Sequence, residues 1–593
     1  MISRAFRRLT LSGVDECLPR PISLDNTSHI LTRRLTREVL LVLALSAVIL
    51  AIWWPRFQGP LDLRWDGATY YVLGTSLAEG KGYRLLNEPG EIQAIQYPPL
   101  LPALIAAHQV MLGTSDPVVV GGWLRVSFFI MYAAFIFSSY ALLRRYLPDT
   151  YAFPAILTVA LNFLVIFLSD LCFAEIPFAL VTVLFVLCNA RTDTGSRILT
   201  ALLGGAAYLL RTAGIALFVA WIAESLFRKN FRTAAVRLLL ALVPVLGWQA
   251  YISVVQAGAE YRNPAYAYQR AAYMFYNVTY GDNVFSLREP FNPAAGIPTP
   301  AEIAARWFRN LGQMPGSLGE AVSAKKLNWI HQVGHLKDAP FVGWLLPWRS
   351  VDAVLIVFGV LVLGGVVLQL RAGEVLIPVY ILTYLVAVCL TPWADQRPRY
   401  WAPVMPFLTL ALFQSLAALQ GYARERLAPC WRRRGLVFSA AIVGLMVTIE
   451  LLTAVHIYAH QYAKVAYEDR YGTPVVYRLF FYEASERALD EGLDWLKHTA
   501  KPDDILAVSI MPQWGYLRTG LKTVMPPLEM DLERAQALLD SVPVKYLAVN
   551  DMKIPIFVQV GVPLVREAPE RWRLVYAPRG GGAAIYERVE RRD

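Results

Sequence analysis

Charge is what this chain has least of. Only 17% of its 593 residues are Asp, Glu, Lys or Arg, where a soluble globular protein carries about 25%. With 56% hydrophobic residues and a mean hydropathy of +0.41, that shortage excludes a large soluble enzyme and predicts a polytopic membrane protein. Cysteine is also scarce. Cys17, Cys172, Cys188, Cys389 and Cys430 form no CxxC pair, so no zinc site or disulfide framework is indicated. A glycine-rich phosphate loop, a Walker lysine and an HExxH pair are all missing, which argues against a nucleotide-driven pump. No internal repeat is visible, and the apolar runs are nearly free of charge, unlike a transporter built from repeated halves with broken helices. The N-terminus lacks a small-residue cleavage site. A basic arm (Arg4, Arg7, Arg8, Arg33, Arg34, Arg37) precedes the first apolar run, which reads as an uncleaved signal anchor.

What the chain does have is long apolar runs. At about 20 residues per crossing, the candidates are 39–55, 121–143, 150–169, 175–190, 198–210, 212–227, 237–256, 351–370, 374–391, 402–420 and 436–455, about eleven transmembrane helices. The net charge of +11 does not point to nucleic acid, because its clusters flank these runs and read as topology signals beside anionic lipid. They are the N-terminal arm, Arg144-Arg145, Arg191 with Arg197, Arg228-Lys229 with Arg232, Arg371, and Arg424 through Arg434. All fall on one side only if Pro98–Leu112, which is apolar but short and Pro-rich, lies at the outer surface and does not cross. On that reading the N-terminus is cytoplasmic. Asp66, the Asp170–Glu175 loop, Arg211, the Arg397–Arg399 loop and everything after His456 lie outside.

Three divisions follow. Residues 1–38 are a cytoplasmic basic arm. Residues 39–455 are a transmembrane module with outer loops 56–120 and 257–350. Residues 456–593 are an extracytoplasmic linker and small α/β domain. In the last, Ala484–Thr499 and Asp531–Leu539 read as helices, and Ile505–Ile510, Val544–Val549, Arg573–Tyr576 and Ala583–Tyr586 as strands. A loop as long as 257–350 is uncommon unless it has a function.

Ionisable groups at membrane depth are candidates for function. Asp66, Asp170, Glu175, Arg211, Arg397 and Arg399 collect at one interface. Arginine suits phosphate, and a carboxylate suits proton abstraction from an alcohol. Each has a bland reading too. An Asp after a span caps a turn, Glu175 favours a helix N-terminus, Arg211 snorkels, and Arg397 and Arg399 bind lipid head groups. Their shared face favours chemistry. Asn277-Val278-Thr279 matches a glycosylation acceptor pattern.

The ordered pieces RWDGATYY (Arg64–Tyr71), Gln96-Tyr97-Pro98-Pro99, SDLCFAEIPF (Ser169–Phe178), LLRTAG (Leu209–Gly214), Arg399-Tyr400-Trp401-Ala402-Pro403-Val404-Met405-Pro406 and Tyr516-Leu517-Arg518-Thr519-Gly520 resemble the GT-C glycosyltransferases. The likeness is to the bacterial branch related to the aminoarabinose transferase and to protein O-mannosyltransferases. The resemblance implies a GT-C membrane fold in a plasma (inner) membrane and a polyprenyl-phosphate-linked sugar as donor. It also implies inverting transfer to a lipid or protein hydroxyl, or to a phosphate, at the outer face. In those terms Asp66 is the general base, and Asp170, Glu175, Tyr70 and Tyr97 shape the donor–acceptor site. Arg399, Arg397 and Arg211 hold the donor phosphate. Gly67 stands where many relatives have Glu, and Tyr97 where the aminoarabinose transferase has Lys, which puts the aminoarabinose donor in doubt. No cofactor is indicated, and an Asp-any-Asp metal motif is absent. A divalent metal shared by Asp66 with Asp170 or Glu175 stays open. The rival expectations are a lipid-linked-glycan flippase or transporter, and a membrane-anchored assembly protein acting through its outer α/β domain.

Overall fold

The computed structural model describes residues 24–270, 277–335, 349–393, 396–426, 429–468, 472–508, 512–551 and 560–589. Most of the N-terminal arm and the last two residues of the expected strand Ile505–Ile510 lie outside them. A helix occupies each of the eleven expected positions, from Leu24–Trp53 to Pro429–His460. Among the described residues six are long and apolar enough to cross a membrane, and the bent pair Asp149–Leu161 with Phe163–Asp170 makes a seventh. Glu175–Asn189, Thr194–Leu210, Ile215–Phe227 and Leu376–Leu390 are shorter. The outward faces of the bundle are apolar, with Leu202, Leu239, Val243, Val254 and Val360 left uncovered. A contiguous apolar surface of that kind is stable in lipid and not in water. The protein is a multi-pass membrane protein.

Polar side chains tie the helices together in two belts. At one end, Arg144 pairs with Glu38, and Arg37 with Asp149. At the same end Arg237 and Asn189 both reach Glu224. At the other end lie the residues singled out by sequence. Between the belts, helices approach closely where side chains are smallest. A Cβ on Gly365 would lie 1.9 Å from the Ala411 carbonyl oxygen, and one on Gly319 1.9 Å from that of Leu355. Backbone cannot yield as a side chain can. Gly365→Ala is therefore expected to destabilise the bundle by at least about 1–3 kcal/mol, read as a lower melting midpoint in detergent.

The bend of 49° at Asn162 also has a local cause. The Asn162 side chain accepts from the Leu164 and Val165 amides, and Glu450 accepts from the Phe163 amide and from Asn162 Nδ2. Those contacts satisfy the backbone that the break releases.

Pro98–Leu112 forms the helix Leu100–Leu112, about 20 Å long at 1.5 Å per residue. Both its ends stay on the helix Asp66–Ala78. Tyr70 meets the Tyr97 ring just before it, Gln109 donates to Thr75, and Tyr71 donates to the Ser115 carbonyl just after it. It does not pass to the opposite belt. Val110 and Met111 remain exposed.

The first part of the long segment 257–350 packs onto the loop 56–120. Glu260 pairs with Arg84, Tyr268 donates to the buried Glu88, and Asn277 both donates to Gln93 and accepts from Ile95. Asn277 is buried, so its match to a glycosylation pattern reflects packing. After His460 the chain forms a hairpin, β1 (Tyr462–Glu468) with β2 (Pro474–Phe480), which the sequence pattern did not indicate. A second sheet follows, of order β4-β3-β5-β7-β6, with β3 Ile505–Val508, β4 Lys522–Val524, β5 Val544–Asn550, β6 Trp572–Tyr576 and β7 Ala583–Arg588. The expected helix Ala484–Thr499 forms as read, and Leu532–Asp540 lies within a residue of the second. The short edge strand β4 and the helix Pro512–Thr519 were not anticipated.

Candidate active site

Asp66 is the first residue of the helix Asp66–Ala78, entered through Trp65 at φ 55°. A bulky residue in the left-handed region costs about 1–3 kcal/mol and persists only where its surroundings over-determine it. Here the Trp65 ring packs edge-on against Phe167, with centroids 5.9 Å apart, and the Arg64 guanidinium lies 4.5 Å from its centre. Gly67 follows because a side chain would not fit comfortably: a Cβ there would lie 3.3 Å from Cys172 Cβ. Close packing thus accounts for the absence of a second acidic residue.

The Asp66 carboxylate has two partners. The Tyr97 hydroxyl donates to Oδ1 at 3.0 Å, and Arg399 Nη2 donates to Oδ2 at 2.6 Å. Burial pushes the Tyr97 and Tyr70 phenols up from their ordinary values. Their rings meet edge-to-face at 4.8 Å. Arg399 continues the chain of contacts. Its Nε donates to Glu175 Oε1, and the guanidinium lies 4.3 Å from the Phe173 ring centre. Glu175 Oε1 also takes Arg211 Nη1 at 2.6 Å. Glu175 is fully enclosed, whereas the side chains of Asp66, Arg399 and Arg211 are 17%, 23% and 16% exposed. The buried carboxylate thus orients two guanidiniums that still reach the surface. Two acids and two arginines balance in charge, which permits such a part-buried cluster.

Six of the eight residues picked from sequence, Asp66, Tyr70, Tyr97, Glu175, Arg211 and Arg399, converge in this way. Asp170 and Arg397 are placed elsewhere. Asp170 Oδ1 accepts from Arg56 Nε and Arg125 Nη1, each at 3.0 Å, with all three side chains buried. Arg125 also donates to the carbonyls of Arg56 and Pro60. This triad pins the segment leading to Asp66 against the end of the helix Phe163–Asp170. It supports the site from behind and does not line it. Its physical reason is direction: Asp170 ends its helix facing the bundle, whereas Glu175 starts the next one facing Arg211 and Arg399. Arg397 is buried against Gln313 and Asn310, which joins the helix Pro300–Gly312 to the Arg399 turn.

Arg56 and Arg125 were missed. The available signal was Arg125 itself, a cation inside an apolar run, which demands a buried acidic partner. Among the described residues no group of three or more His, Cys, Asp or Glu is placed to hold a metal ion. Asp66 and Glu175 direct their oxygens at a shared guanidinium, where a metal would have to sit, and Asp170 is turned away from both. This donor set does not fit a metal bridging them.

No protein-family model matches the sequence, and no curated protein does. Solved structures do match. The archaeal oligosaccharyltransferase AglB from Archaeoglobus fulgidus, in complex with an inhibitory peptide and a dolichol-phosphate, aligns at 12% identity over 94% of this chain and 75% of that one, with a TM-score of 0.51. The same organism's oligosaccharyltransferase in complex with Zn and sulfate aligns at 10% identity over 92% and 73%, with a TM-score of 0.50. ArnT from Cupriavidus metallidurans bound to undecaprenyl phosphate aligns at 12% identity over 94% and 98%, with a TM-score of 0.48. At such identities the likeness is one of fold, and the fold of this chain is that of the GT-C glycosyltransferases.

Proposed function

We propose that this protein is an integral-membrane inverting glycosyltransferase that moves a sugar from a polyprenyl-phosphate donor to a hydroxyl acceptor. The observation that carries the reading is the Asp66–Arg399–Glu175–Arg211 chain. It sets a proton acceptor beside two oriented guanidiniums at the membrane end of a helical bundle. Asp66 takes the proton of the acceptor hydroxyl as its oxygen attacks the anomeric carbon. The bond from that carbon to the phosphate oxygen breaks, and its electron pair leaves on the phosphate. Arg399 and Arg211 stabilise the released charge. A guanidinium has five N–H donors, so contact with Glu175 or Asp66 leaves others for phosphate oxygens. The dolichol-phosphate held by the archaeal oligosaccharyltransferase supports the choice of donor class.

The eleven apolar helices are read as eleven crossings. Basic residues at the belt opposite the site, Arg144-Arg145 among them, favour a cytoplasmic position for that end. The site and the C-terminal α/β domain then face outward from a plasma (inner) membrane. The acceptor is a lipid, a protein or an envelope glycan.

The test is transfer by purified protein in detergent, from a panel of synthetic polyprenyl-phosphate sugars to envelope extract. Arg399→Gln is expected to raise the donor KM by about 10–100-fold, the worth of charge-assisted hydrogen bonds. A flippase makes no product in this assay, so absence of product across the panel would overturn the reading.

A further inference from the structure

The segment that delivers Asp66 is gripped from outside the membrane bundle. Arg64 is only 4% exposed, and every nitrogen of its guanidinium is engaged. Asp62, two residues back, accepts from Nη2 at 2.8 Å and from Nε at 3.1 Å. The other partners come from beyond the last membrane helix. Nη1 donates to Glu486 Oε2 at 2.7 Å, and Nη2 donates to the Phe480 carbonyl at 2.7 Å. Phe480 ends β2, and Glu486 lies in the first turn of the helix Ala484–Thr499. The guanidinium also lies 4.5 Å from the Trp65 ring centre and 5.6 Å from that of Tyr482.

Strain occurs on both sides of this contact. Trp65 has φ 55° and Phe481 φ 53°, two of the four non-glycine residues in the left-handed region among the described residues. Bulky residues adopt that region only under constraint. Both rings close on Phe167, at 5.9 Å for Trp65 and 5.2 Å for Phe481. One turn starts the Asp66 helix, and the other leads into the first helix of the C-terminal domain. They therefore share an aromatic floor and are joined by one arginine. The backbone carries the constraint forward: the Gly67 amide donates to the Arg64 carbonyl, and the Ala68 amide to that of Trp65, both at 3.1 Å. Asp66 sits inside that first turn.

We propose that Arg64, clamped by Asp62 and by Glu486 and the Phe480 carbonyl of the C-terminal domain, is a positioning residue that holds Asp66 in its reactive orientation. The C-terminal domain is then a working part of the site. The inference rests on Asp66 being the base, and the test separates the two claims.

Full-length protein in detergent carries Glu486→Ala or Glu486→Gln. Hydrogen exchange is followed in peptides covering 61–73, and turnover is measured with the same donor panel. For Glu486→Ala, exchange in 61–73 rises about tenfold or more. The kcat falls about 10–100-fold, the scale of a small misplacement of a reacting group, and the donor KM stays within about twofold. Glu486→Gln keeps an acceptor oxygen toward Arg64 and restores both. Unchanged exchange in 61–73 overturns the proposal. So does loosening confined to the C-terminal domain with turnover intact, the mark of a merely structural contact. If Asp66→Asn keeps turnover, the base assignment falls, while the exchange result still decides whether the C-terminal domain holds this segment.

Discussion

With Asp66 proposed as the base, Asp66→Asn is expected to lower kcat by about 10²–10⁴-fold, the usual worth of a general base, while the protein still inserts and melts near the wild-type midpoint. The structure explains why the fold tolerates the change. Asp66 is part-exposed, and its two partners are a hydroxyl and a guanidinium. An asparagine oxygen can still accept from Arg399, and its amide can donate to the Tyr97 hydroxyl. Glu175 continues to hold Arg399 and Arg211, so donor affinity should change little. What is lost is an oxygen able to take a proton. Turnover by labelled donor and thermal unfolding in detergent check both halves. Near-normal turnover would remove Asp66 from the role of base.

Asp170→Asn has the opposite signature. Its carboxylate is the shared partner of two buried arginines, Arg56 and Arg125. Removing one member of a buried ion pair typically costs about 3–5 kcal/mol, because the remaining charge is left uncompensated. Here two cations are affected, although their carbonyl and Ser169 contacts persist. The expected result is a steep drop in yield and melting midpoint, with the surviving folded protein retaining its donor KM. A stable protein with transfer lost would instead return Asp170 to the donor–acceptor site that the resemblance implied. Asp66 and Asp170 are both acidic residues at the same end of the bundle, and these two variants separate their roles.

Much of this was legible because a bilayer imposes simple rules. Apolar length marked the helix positions, and basic flanks gave each end an expected side. The ionisable groups at one interface were few enough to pick by eye, and most of them do meet. What was misread shows where pattern stops. Asp170 and Glu175 lie in one loop and looked equivalent, yet Asp170 ends one helix against Arg56 and Arg125 while Glu175 starts the next against Arg211 and Arg399. Arg125 and Glu450 lie within apolar runs, and each is buried with a partner that no local pattern specifies. The paired strands β1 and β2 escaped notice because their residues pair with each other and present only short alternating runs.

By itself the sequence determined the class of molecule, the order of its helices and the residue types available for chemistry. Those properties follow from hydrophobicity and charge, which act along the chain. Only the tertiary structure decided that Glu175 would orient two arginines, that Asp170 would face away, and that Arg64 would reach Glu486 across 422 residues of chain. Such contacts depend on which side of each helix end meets its neighbour, a choice made by packing geometry after the helices are in place.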